Sequence, residues 1–144
     1  MPPSDPKPKS YRQYHDQARR EFEAQMSPMP PVAARAPRQS TSNYAHERAS
    51  SAKRHEAAAA GFAKRGDVVG QTQALRQAVA STTKELATKR ADQKSHTPGT
   101  LAYKQHEHYI TQRQGDLGRL QTAATGAKDA WVKSRADGLK KAGS

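Results

Sequence analysis

Cysteine is absent from this 144-residue sequence, tryptophan occurs once and phenylalanine twice. Without thiols, disulfides, thiolate metal sites and cysteine nucleophiles are excluded, while the redox compartment stays open. Large apolar side chains are scarce as well. Only 33% of the chain is hydrophobic and much of that is alanine, so few residues can supply the roughly 1.5–3 kcal/mol of a fully buried Leu or Phe. A thin core is expected, helped by a partner or by self-association. No run approaches the roughly 18–20 apolar residues of a membrane span. The stretch from Met1 to Lys9 is proline and charge, with no apolar segment of a secretory signal. The expectation is an intracellular protein, cytoplasmic or held within an assembly, with signal-less secretion left open.

Catalytic signatures are equally lacking. There is no Gly-x-Ser-x-Gly elbow, and Gly61 to Gly70 has three glycines but no Gly-Lys-Ser/Thr ending. No strand pattern appears anywhere, which excludes the usual nucleotide folds. The six histidines include His106-Glu107-His108, but residues two apart on a helix diverge by about 200° and cannot share one ion. His15-Asp16 and His55-Glu56 diverge in the same way. The sequence therefore predicts no catalytic residue, no metal site and no cofactor, and a protein that is not an enzyme.

What the chain does carry is positive charge. Lys and Arg number 25 against 13 Asp and Glu, a net +12, spread along the whole length rather than gathered in one tail. Such an excess favours polyanionic partners.

Taken in order, residues 1–9 are expected to be a disordered tail. Over residues 10–26 the apolar positions Tyr11, Tyr14, Ala18 and Phe22 recur at three and four, which predicts a short amphipathic helix. This face either packs on the chain's own bundle or serves as a partner-binding surface, since helix-in-groove recognition uses the same anchor spacing. Residues 27–41 contain four prolines and read as a linker that tethers this helix.

Residues 42–141 are expected to form the bundle, with 142–144 a disordered tail. Ser40, Ser42 or Asn43 can cap a helix in which Ala45, Ala49, Ala52, Glu56, Ala59 and Ala63 repeat at four and three. Gly66 suits the residue after a helix end and Asp67 the cap of the next. The following seam, Val68, Thr72, Leu75, Val79, Thr82 and Leu86, is the densest apolar set in the first two thirds of the chain. An antiparallel hairpin follows. Pro98 and Gly99 end its second arm, and Thr97 or Thr100 opens a last register through Tyr103, His106, Ile110, Arg113, Leu117, Leu120, Ala124, Ala127 and Trp131. Gly115-Asp116 allows one unbroken helix, a kinked one or two shorter ones. The fold class predicted is all-α: an antiparallel helical hairpin plus a long third helix in an elongated three-helix bundle, with the N-terminal helix tethered to it.

The segment from Phe62 to Asp67, continuing to Leu75, Ala78 and Val79, resembles the inner turn of a tetratricopeptide repeat over about 25 residues. That family places a small residue where Gln71 stands and closes its unit with a proline where this chain has Thr83. The resemblance implies a helical hairpin and not a solenoid.

Trp131 lies on a seam and is expected in the core. Tyr44, Tyr103 and Tyr109 are scattered along helices, which disfavours stacking on single-strand bases and leaves phosphate contact. The candidate phosphate-contacting residues are Lys53, Arg54, Lys64, Arg65, Lys89, Arg90, Lys94, Lys133, Arg135, Lys140 and Lys141; solvated helix faces would look the same. The leading expectation is a basic interaction protein that binds nucleic acid without sequence specificity. The alternative is a structural or adaptor protein, such as an assembly subunit, a virion-internal component or a signal-less secreted effector, that meets an acidic or helical protein partner. Membrane contact is disfavoured, because the N-terminal apolar face is too small for firm insertion. Arg65-Gly66-Asp67 spells an adhesion tripeptide, but each residue has a structural reason for its place.

Overall fold

A computed structural model of the chain describes residues 9–26 and 41–143, the side chains of 41–43 excepted. It contains four helices: α1 (Tyr11–Gln25), α2 (Thr41–Lys64), α3 (Val68–Lys94) and α4 (Leu101–Ala142). No strand occurs among the described residues, so the class is all-α. Of the tail expected over 1–9, the linker over 27–41 and the tail over 142–144, residues 1–8, 27–40 and 144 lie outside the described residues, whereas Thr41 already opens α2 and Ala142 closes α4. Of the capping candidates for α2, Ser42 and Asn43 fall inside the helix and Ser40 is outside the described set.

The hairpin turn is built as its residues require. Gly66 has φ +73°, a conformation that a Cβ would strain. Asp67 caps α3 by accepting a hydrogen bond from the Gly70 N–H at 2.9 Å. The ring of Phe62 lies directly on Gly70, where an added Cβ would come within 2.7 Å of it. Arg65 sits over that ring, 4.9 Å from its centroid. The three residues of the adhesion-like tripeptide thus serve the turn.

α3 is the central helix. It packs along α2 on one side and α4 on the other, antiparallel to both. Thr72, Leu75, Thr82 and Leu86 of its seam are buried, while Val68 and Val79 are half-buried. Ala45, Ala52 and Ala59 of α2 are buried against it, whereas Ala63 at the end of that face is exposed. The alanines allow close approach but add little area, so the central cluster is small: Ala59, Ala74, Leu75, Ala78, Leu120 and Ala124, with Phe62 and Val79 at its edge. Glu56 of α2 reaches past α3 to Arg119 of α4 at 2.8 Å.

α4 opens with Thr100, whose hydroxyl accepts from the Tyr103 N–H at 3.3 Å, after Gly99 at φ +90°. It then runs 42 residues without a break, about 63 Å at 1.5 Å per residue. Of the alternatives at Gly115 the unbroken helix holds, because α3 grips it on both sides: Tyr109 and Arg113 are bound to Glu85 before the glycine, and Leu120 is buried after it. The register drifts toward the C-terminus. Ile110, Leu120 and Ala124 are buried as expected, but Val132 and Ala136 are then buried while Ala127 and Trp131 are only half so. A seam with a repeat of three and four walks about 20° per heptad around a straight helix, and over this length the buried stripe moves by a residue.

The N-terminal helix docks on that displaced stripe. Ala18 and Phe22 are wholly buried with Val132 and Ala136, flanked by Tyr14, Met26, Val68, Val69, Trp131 and Leu139. Phe22 meets Trp131 edge-on, with ring centroids 5.2 Å apart. α1 runs antiparallel to α4, with Tyr11 near Lys140 and Glu23 near Lys128. A 15-residue helix is marginal in isolation, and a fully buried Phe contributes roughly 1.5–3 kcal/mol, so this docking is what orders it.

Candidate nucleic-acid interface

The nominated cations fall into three groups, ordered along the bundle by the helices that carry them. Lys53 and Arg54 sit mid-way along the exposed face of α2, while Lys64 and Arg65 mark its end at the hairpin turn. That turn lies beside the C-terminal half of α4, because Val68 and Val69 share a cluster with Val132 and pack near Trp131. Lys133, Arg135, Lys140 and Lys141, all exposed, therefore belong to the same end of the molecule as Lys64 and Arg65. Lys89, Arg90 and Lys94 occupy the opposite end, where α3 gives way to α4. Lys89 is drawn over the Tyr109 ring, 5.0 Å from its centroid, and Arg90 and Lys94 face solvent.

The carboxylates are distributed differently. Glu85, buried in the bundle, and Asp116 are tied to Arg113, and Glu56 pairs with Arg119 at the surface between α2 and α4. Glu21 of α1 accepts from Arg135 at 2.7 Å, and Glu23 accepts from Arg76 at 3.1 Å and from Lys128. The hydrogen bonds from Arg76 and Lys128 hold the Glu23 carboxyl down at about 2, and Arg135 lowers that of Glu21. Among the described residues no ion pair takes up Lys53, Arg54, Lys64, Arg90 or Lys94. Exposed cations outside these ion pairs thus stand on the α2–α3 hairpin, and others, such as Lys104 and Lys133, on α4.

The nominated partner-binding face is in a different position. Ala18 and Phe22 are fully buried against α4, Tyr14 is half-buried, and Tyr11 is 40% exposed. Of the two roles open to this face in the sequence, packing on the chain's own bundle is the one it occupies.

Three polar features were not legible in the sequence. Glu85 is completely buried; it accepts hydrogen bonds from the Tyr109 hydroxyl at 2.6 Å and from Arg113 Nε at 2.8 Å. Arg113 also donates to Asp116 at 2.7 Å and to the Thr82 hydroxyl at 3.4 Å. Burial, and then the bond to Glu85, push the Tyr109 phenol up to about 12. The available signal was Arg113 itself, a cation inside an apolar register, which implies a carboxylate facing it. The second feature is Arg76 with Lys128, which frame a cleft of about 430 Å³ between α1, α3 and α4. The third is the pairing of His106 with His96, ring centroids 4.8 Å apart, with His106 Nδ1 3.0 Å from the Ala102 carbonyl. Among the described residues no group of three or more His, Asp or Glu is placed to hold a metal ion, and no helix is long and apolar enough to cross a membrane.

No family model, curated protein or solved structure matches the chain.

Proposed function

We propose that the protein is a non-enzymatic, basic helical interaction protein that binds nucleic acid through phosphate contacts without reading sequence. The observation that carries this reading is the division of charge: several carboxylates are consumed by pairs within and between helices, while Lys53, Arg54, Lys64, Arg90 and Lys94 stand on the hairpin with no ion pair among the described residues. Exposed cations carried on helices suit the regularly spaced charges of a nucleic-acid backbone. Aromatic stacking has little support, since among the described residues Tyr11 is the one exposed Phe, Tyr or Trp side chain. The adaptor alternative has less support than the sequence alone allowed, because Ala18 and Phe22, the anchors it would present, are buried against Val132 and Ala136.

Titration of labelled duplex and single-stranded DNA at about 50 and about 200 mM salt tests the proposal. Binding should be indifferent to sequence and weaken steeply with salt. Replacing Lys53, Arg54, Lys64, Arg90 and Lys94 by Gln should flatten the salt slope on duplex by about 0.9 for each phosphate left unneutralised. Absence of binding at the lower salt, or binding that salt does not affect, rejects it.

A further inference from the structure

We propose that Arg76, Lys128 and Arg135 form a second phosphate-binding row, held closed in cis by Glu21 and Glu23 of α1. The inference rests on the nucleic-acid reading and joins Arg135, already a candidate from the sequence, to Arg76 and Lys128, which composition and clustering in the sequence do not single out.

The carboxylates of α1 point in two directions. Asp16 pairs with Arg19 on its own helix at 3.0 Å. Glu21 and Glu23 turn instead toward the body of the protein, Glu21 to Arg135 and Glu23 to both Arg76 and Lys128. A single carboxylate thus serves two cations. Lys128 and Arg135 are two turns apart on one helix, about 10.5 Å, which equals about three steps between successive phosphates of one strand at 3.4 Å of axis each. Arg76 flanks them from α3. The cleft beside Glu23 is already open, bordered by His15, Arg19, Arg76, Gln121, Lys128 and the acidic Asp129, so an incoming phosphate reaches Arg76 and Lys128 by displacing Glu23 and passes Asp129 at the rim. The side chains that hold the row closed are partly in water: Glu23 is 44% and Glu21 32% exposed, which makes their pairs sensitive to competing anions. Apart from them, α1 is anchored chiefly by Phe22, and its link to α2 runs through a segment with four prolines.

A polyanion therefore competes with α1 for the same three cations. It meets the hairpin first, and contact with the row follows as Glu21 and Glu23 are displaced.

The test compares E21Q/E23Q, Phe22→Ala and a charge-matched control, D92N/E107Q, whose sites lie at the far end of α3 and the start of α4. Each is titrated with a duplex of about 20 base pairs over a salt series, and circular dichroism confirms folding. In E21Q/E23Q, Trp131, the only tryptophan, reports α1 docking through its contact with Phe22. Both α1 variants should bind more tightly than wild type and steepen the salt slope by about 2 to 3, with Phe22→Ala doing so at unchanged net charge. The control should leave the slope nearly unchanged. A Phe22→Ala protein whose α1 amides (Tyr11–Gln25) lose protection from hydrogen exchange while its slope matches wild type overturns the row, as does a control that steepens the slope as much as E21Q/E23Q. If Phe22→Ala fails to fold, E21Q/E23Q against the control decides. Salt-dependent wild-type binding with unmoved α1 variants sinks the row alone, whereas no binding by any of the proteins sinks the nucleic-acid reading with it.

Discussion

Glu85 has no exposed surface, and its two oxygens are met by one guanidinium and one phenol. Removing one partner from such a pair leaves a buried charge uncompensated, which is far more harmful than replacing both sides with apolar groups. Arg113→Met should therefore lower stability by about 3–5 kcal/mol, and the double variant E85L/R113M should recover most of that; urea unfolding of the two measures it. The same network gives the protein an alkaline limit. Tyr109 ionises near 12 in the folded chain because burial and the Glu85 carboxylate disfavour its charged form, against about 10 when unfolded. A raised folded value means that its contribution to stability is complete below pH about 10 and is lost as pH rises toward about 12. Ultraviolet titration should show a phenol component near pH 12 that is missing in Tyr109→Phe, and that variant should lose less stability across this window. At this scale the sequence showed only half of the site. Arg113 stood out in an apolar register, but Glu85 is one residue from Leu86 and off the seam, and only the placement of α4 identifies it as the partner.

Among the elements, the glycines separate into those that the fold needs and those it merely carries. Gly115, Gly118 and Gly126 lie in α4 with open space where a Cβ would go. Each therefore keeps the helix-propensity penalty of about 1 kcal/mol against alanine with no contact in return. Gly70 differs, since an added Cβ would meet the Phe62 ring and Asp67 Oδ2 at 2.7 Å. Thermal melts should show Gly115→Ala and Gly118→Ala raising stability by up to about 1 kcal/mol each, and Gly70→Ala lowering it by about 1–3 kcal/mol through overpacking. Equal effects at the two sites would contradict this account of the turn. The ends of α3 and the start of α4 were readable from Asp67, Pro98, Gly99 and Thr100, because caps and breakers act locally. Continuity through Gly115 was not readable. Two residues of weak propensity permit a break, and neighbouring contacts from Glu85 and around Leu120 prevent it.

Across the whole molecule, two small clusters hold four helices: Ala59, Leu75, Ala78 and Leu120 with their neighbours, and Phe22, Ala18, Val132 and Ala136. The scarcity of large apolar residues announced such a thin core, and charge takes part of the load. Ion pairs tie α1 to α3 and α4, and α2 to α4. Exposed pairs contribute only about 0–1 kcal/mol each, so the apolar contacts of Ala18 and Phe22 with Val132 and Ala136 supply most of what holds α1.

Helix positions, the hairpin and the basic excess were determined by the sequence alone, since periodicity, capping and composition are properties of a local stretch or of a sum. Which cations remain free to meet a partner was decided only by the tertiary structure. Arg135 and Arg90 are alike in the sequence and both are exposed, but one is paired with Glu21 and the other has no ion pair among the described residues. Pairing depends on distances between residues more than a hundred positions apart, and no pattern along the chain encodes those distances.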